Sequence, residues 1–268
     1  MNRVNTILRL ERKLSKQTHT LLTLAGIASI FIVWAAASYS GKINPIFLPS
    51  PVAVAASAGI LFHEFDFLSD ILVSIYRVSL GFALSVAVAI PLGTWIGIHK
   101  QTEALLNPLS SFLRYTPPSA FLPLFILWFG IGEMEKILVI FLAVTPYLLV
   151  LVADIIANTR KEFLYAALTL GAQSRDLLMR VILPQSLPNI WDSMRITIGF
   201  GWAFVILAEV VAATSGLGHL IVTSQRFLKT PNVMAAIIVI GLLGLATDLL
   251  FKLGYRYFFP WTEKSRHA

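Results

Sequence analysis

Two charged side chains stand inside runs that otherwise carry none: Arg77 in "ILVSIYRVSLGF" and Glu209 in "WAFVILAEVVAA". A guanidinium or a carboxylate in apolar surroundings is costly unless it is paired or reaches water. The chemistry on offer is therefore an ion pair, or a lone cation that attracts an anion. Arg77 falls about six residues, ~9 Å, inside one end of its run, and Glu209 lies at a similar depth in its own. Mutual pairing and anion attraction by Arg77 both fit that placement. Asp154, Asp192, Arg195 and Asp248 stand near the ends of apolar runs, where water satisfies them. Catalysis and metal binding find little support. His19, His63, His99, His219 and His267 are scattered singly, and there is no cysteine. The phosphate-cradling pattern G-x-x-x-x-G-K-[ST] is missing; the only Gly-Lys pair, Gly41-Lys42, lacks the rest of it. No catalytic residue, metal ligand or cofactor is expected in this chain, and any nucleotide must be held by another one.

The elements around these charges are membrane spans. The chain of 268 residues is 57% hydrophobic and 13% charged, with a mean hydropathy of +0.77, too apolar for a soluble domain of this size. Six spans are expected, at about 21–40, 71–98, 103–131, 135–157, 195–214 and 233–254. The basic start, apolar run and "AAA" of the first also fit a cleaved signal peptide, but the run reaches span length once Trp34 and Tyr39 are counted. Residues 41–70 read as an external segment with a stiff "LPSP" turn and a short amphipathic helix. Most of the 21 basic residues then fall in segments 1–20, 158–192 and 261–268 and at span ends facing the same side, which is the cytoplasm by the positive-inside rule. The net charge of +7 is explained by that asymmetry, so a nucleic-acid partner is not expected. The third span contains Pro108, Pro117, Pro118 and Pro123. Each proline removes a helix donor and disfavours helix in the preceding residue. A kink packed between helices accommodates this, and so does a discontinuous helix beside a transport path.

The inside segment 158–192 is unusual in being both helical and charged. Phe163, Ala166, Ala167 and Leu170 recur on one helical face. Gly171 can end that helix in the left-handed region. Ser174 is the expected N-cap of a second helix, with a stripe of Leu177, Leu178, Val181 and Ile182, stopped by Pro184 and Pro188. A hairpin lying on the membrane surface satisfies this pattern as well.

The spacing Ala166-Ala167, Gly171, then "VILP" at 181–184 resembles the "EAA…G…ILP" signature of binding-protein-dependent ABC importer permeases. "LPSP" at 48–51, "PPSAFLPLFILWFGIG" at 117–132 and "AEVVAATSGLG" at 208–218 are similar to the nitrate, sulfonate, taurine and bicarbonate group, with taurine and aliphatic sulfonate permeases nearest. The likeness spans about 45–260. It implies an all-α membrane protein with the six-span, MetI-like fold of a type I importer, in which residues 21–260 form the permease domain. It implies a non-catalytic subunit in the bacterial cytoplasmic membrane that imports a small anion by alternating access. Implied partners are a second permease copy, two ATP-binding subunits carrying ATP and Mg, and an extracytoplasmic substrate-binding protein. By this likeness Ala166, Ala167, Leu170, Gly171, Ala172, Leu183 and Pro184 belong to a cytoplasmic coupling helix that seats on the ATPase. The motif's glutamate is Tyr165 here, and Glu162, on the same helical face, is the candidate replacement. Arg77, Pro117, Pro118, Pro123 and Glu209 are the candidates for the translocation pathway or intramembrane charge. Two other classes remain: an ion-coupled secondary transporter, which needs a titrating intramembrane carboxylate and no ATPase, and a membrane sensor or scaffold, which moves no solute.

Overall fold

In the computed structural model, residues 15–64, 66–211 and 213–262 are described, so most of the expected terminal segments 1–20 and 261–268 lies outside them. Every regular element among the described residues is helical. They are α1 (Lys16–Tyr39), α2 (Pro51–Glu64), α3 (Phe67–Ile98), α4 (Lys100–Tyr115), a 3₁₀ turn (Pro118–Phe121), α5 (Leu122–Phe129), α6 (Glu133–Ala157) and α7 (Lys161–Thr169). Then come α8 (Ser174–Val210), α9 (Leu217–Arg226) and α10 (Thr230–Phe258). Five of them, α1, α3, α6, α8 and α10, are long and apolar enough to cross a membrane.

The expected third span, 103–131, is not one continuous helix. Helix α4 ends at Tyr115, Thr116 and Pro117 are extended, and the chain resumes through the 3₁₀ turn into α5. Pro117 drives Thr116 out of the helical region, and Pro118 does the same to Pro117. The expected stop at Pro184 and Pro188 is also corrected: α8 runs through both. A π turn, Leu177–Ile182, precedes Pro184 and shifts the carbonyl register that an interior proline would otherwise clash with. Gln173, not Ser174, is the N-cap of α8, and Ser174 is its first residue. The short helix expected within 41–70 is α2, and it is not amphipathic. It buries Val54 and Leu61 yet exposes Val52, Ile60 and Phe62.

The core is the seam between α3 and α6. Ile140, Val144, Leu148 and Val152 of α6 are buried in it. The backbones approach so closely at Gly93 and Gly97 that a Cβ there would lie 2.8 Å from the Leu149 carbonyl oxygen and 2.7 Å from that of Ala153. Small residues four apart permit such contact, and in lipid this packing replaces the missing hydrophobic drive. Helix α8 covers the other side of α6 through Ile190, Thr197 and Val205. Helix α10 then packs on α8, where the Trp191 indole donates to the Phe251 carbonyl at 2.8 Å. Helix α1 stands apart, exposed along its length and tied chiefly through Trp34 Nε1 to the Pro49 carbonyl at 3.0 Å.

Gly97→Val should therefore lower the thermal stability of the detergent-purified protein, by about 1–3 kcal/mol of overpacking strain. Gly26→Ala, where a Cβ meets nothing within 4 Å, should leave the melting temperature unchanged.

Candidate functional site

Two sites stand out, and α8 links them. At one end of the molecule Arg77, 1% exposed, is held from several sides. Its Nε and Nη2 donate to the two oxygens of Glu133 at 2.7 and 2.6 Å. Its Nη1 donates to Glu209 at 2.8 Å and to the Ser215 carbonyl at 2.9 Å. Glu209, equally buried, also accepts from Ser74 Oγ at 2.7 Å and from the Gly218 amide at 2.8 Å. A buried ion pair is tolerable when its remaining donors and acceptors are satisfied in this way.

The same residues cap α9. The amides of Gly216, Leu217 and Gly218 donate to Asp70, Ser74 and Glu209 at 2.6, 3.0 and 2.8 Å. Carboxylates there satisfy the orphan amides of a helix start and complement its positive end. Gly216 sits at φ 106°, and a Cβ on it would lie 2.5 Å from the Glu209 carboxylate. The "SGLG" of 215–218 is thus the backbone that fits over a buried glutamate.

The sequence pointed to Arg77 and Glu209, and the structure brings them together. Glu133 went unnoticed because it falls at a span edge, where water ordinarily satisfies it. Its side chain is half exposed, so Arg77 binds one carboxylate facing solvent and one facing protein. Asp70 and Ser74 carried a readable signal: they precede Arg77 by seven and three residues, on one helical face. A second buried pair, Glu135 with Lys136 at 2.7 Å, closes the turn before α6 and was also missed. Lys136 Nζ donates to the Gly132 carbonyl, and Glu135 accepts from the Gly132 amide at 2.8 Å.

At the opposite end lies the hairpin. Helix α7 closes with a Schellman arrangement: the Gly171 amide donates to Leu168 O at 2.9 Å and the Ala172 amide to Ala167 O at 3.0 Å. Gly171 adopts φ 80°. The turn thrusts Leu170 outward, 88% exposed, with Phe163, Tyr165 and Leu168 beside it and also exposed. Glu162 is exposed and reaches Arg160 at 3.6 Å. Ala166 and Pro184 are exposed, Ala167 and Ala172 half-buried, and Leu183 packs against the core. Pro117, Pro118 and Pro123 gather at the break between α4 and α5.

Residues 89–264 match the family of binding-protein-dependent transport system inner membrane components. The chain is 32% identical to the taurine transport system permease protein of Escherichia coli K12 over 247 residues, 90% of this chain and 89% of that protein. It is 30% identical to the bicarbonate transport system permease protein of Synechococcus elongatus over 240 residues, 85% of each. Among solved structures, an inward-facing MetNI methionine ABC transporter chain superposes with a TM-score of 0.64 at 13% identity, covering 71% of this chain and 94% of that one. An amino acid ABC transporter gives 0.55 at 15%, covering 78% and 97%. The chain belongs to the family of inner membrane components of binding-protein-dependent ABC transport systems. It is a non-catalytic permease subunit with the MetI-type fold, working beside ATP-binding subunits and a substrate-binding protein. This membership leaves the secondary-transporter reading without support.

Removing Arg77 strands the buried Glu209, whereas removing the half-exposed Glu133 leaves Arg77 with Glu209. Arg77→Ala should therefore reduce folded yield most, by on the order of 3–5 kcal/mol, and Glu133→Ala least. Size-exclusion profiles and melting temperatures of the purified variants check this order.

Proposed function

We propose that the chain forms, as two copies with two ATP-binding subunits, the membrane path of an importer for a small oxyanion-bearing solute. On this reading the hairpin around Gly171 faces the cytoplasm and is the coupling element. ATP and Mg belong to the partner subunits, and the Arg77 cluster lies toward the outer face. The observation that carries the coupling role is the exposed apolar tip at Leu170, raised on a glycine-capped turn at the head of a continuous helix. An exposed apolar patch rimmed by charges, here Arg160, Glu162 and Arg175, is the usual form of a protein contact. The oxyanion rests on the relatives: one carries taurine in its name, another bicarbonate, and a Bacillus subtilis relative 32% identical over 234 residues carries aliphatic sulfonates. Tyr165 replaces the motif's glutamate, and Glu162 is the residue placed to supply that charge.

Gly171→Val puts a β-branched residue where φ is positive, a strained conformation, and re-aims the tip without touching the spans. The variant should insert and assemble normally yet lose substrate-stimulated ATP hydrolysis, and Leu170→Asp should act alike. Both are read in reconstituted transporter with taurine, an alkanesulfonate and bicarbonate as test substrates. Parent-level stimulation and uptake in both variants would refute the coupling role.

A further inference from the structure

Among the described residues, Arg114 is a cation partly sunk in the fold with no counter-ion. The fully buried cations among the described residues, Arg77 and Lys136, each hold a carboxylate within 2.8 Å. Arg114 is half-buried and pairs with no carboxylate among the described residues. Its Nη2 donates to Ser111 Oγ at 3.3 Å, while its Nε is shielded from solvent and has no protein acceptor.

Its depth follows from a neighbour. The Tyr147 hydroxyl donates to the Arg114 carbonyl at 3.2 Å, and Tyr147 stands about 15 Å along α6 from Ala157 and about 21 Å from Glu133. Arg114 therefore lies near the middle of a ~30 Å hydrocarbon layer. It is also three residues before the Pro117 break, and interrupted helices near the midplane are where transporters place solute sites.

One face of the helix that carries it is polar. Glu103, Asn107, Ser110, Ser111 and Arg114 recur at three- and four-residue spacing along α4, a polar stripe. Glu103 and Asn107 line a small cavity with Gly97 and Asp154 at the hairpin end. Glu103 is ~16 Å from Arg114 along the helix, too far to neutralise it. The charge also sits in the last turn of α4, where the helix dipole favours a cation. That placement explains why a cation is tolerated there, not why its Nε has no acceptor.

We propose that Arg114, with Ser111 beside it, is an anion-binding station midway along the translocation path, taking the oxyanion group of the passing solute. The inference rests on the importer reading above, and its test separates the two. The chain has no cysteine, so Ser111→Cys supplies a single thiol in the permease. In the reconstituted transporter with cysteine-free partner subunits, that thiol is treated with a sulfonate-bearing and with an ammonium-bearing methanethiosulfonate. The anionic reagent should react faster. Adding Arg114→Gln should lower the anionic-to-cationic rate ratio on the order of tenfold, and adding Arg114→Lys should preserve it. Excess methanesulfonate should slow the anionic reaction only while the charge is present. A ratio unchanged by Arg114→Gln, or a thiol that neither reagent reaches in any nucleotide state, overturns the station and leaves the importer reading intact. A ratio that falls in a transporter moving neither taurine, an alkanesulfonate nor bicarbonate supports the station and removes the proposed substrate class.

Discussion

The rest of the structure depends on one desolvated guanidinium. Arg77 cannot be left unpaired among apolar helices, and the groups that satisfy it come from three other segments: Glu133 at the head of α6, Glu209 near the end of α8 and Ser215 before α9. The same carboxylate then holds the first turn of α9 through Gly218. Charge burial here therefore joins elements 56 and 132 residues apart in sequence. Together with the close approach of α3 and α6 at Gly81, where a Cβ would lie 2.8 Å from that of Ile140, it makes this end of the molecule one block. A permease that rocks needs such a block, because a soft bundle would dissipate the motion applied to it.

The hairpin end is built differently. Its ion pairs, Arg160 with Glu162 and Asp176 with Arg180, involve basic side chains that are 68% and 80% exposed, and exposed pairs contribute little. What holds the hairpin is covalent continuity with α8, which runs from Ser174 to Val210, ~55 Å at helical rise. One helix thus carries the turn that presents Leu170 and, at its other end, the carboxylate that grips Arg77. The π turn and the two prolines lie close to the hairpin, so α8 is most deformable near the hairpin and best anchored far from it. Between the two ends, α4 and α5 break at Thr116–Pro117 and place a polar stripe beside α6.

Much of this was legible in the sequence, for identifiable reasons. Apolar runs beyond 20 residues and the Ala-Ala…Gly spacing before "VILP" depend on local pattern, so the spans and the Gly171 turn could be read directly. The prolines of 117–123 announced a break, though not that it would leave two helices too short to cross. Pro184 misled because a π turn just before it absorbs what an α-helix cannot, and no residue type marks a π turn; Pro188 lies beyond that turn, inside the regular helix. Glu133 was hidden by its ordinary position at a span edge. Arg114 was hidden by the span drawn around it: taking 103–131 as one apolar span, however broken, concealed that α4 has a polar face. Which carboxylate meets which cation is a tertiary fact; the Arg77–Glu209 pair was open to reading only because both charges stand at matched depth in apolar runs.

The central claim is that α8 transmits movement of the hairpin to a rigid block at the Arg77 end. It is tested most directly by distances between paired spin labels in the two copies of the proposed dimer, one pair at Leu170→Cys and another at Phe227→Cys just beyond α9. Adding ATP should shorten the Leu170 distance and lengthen the Phe227 distance together, in a single two-state change. A Leu170 distance that shortens while the Phe227 distribution stays unchanged would contradict the account.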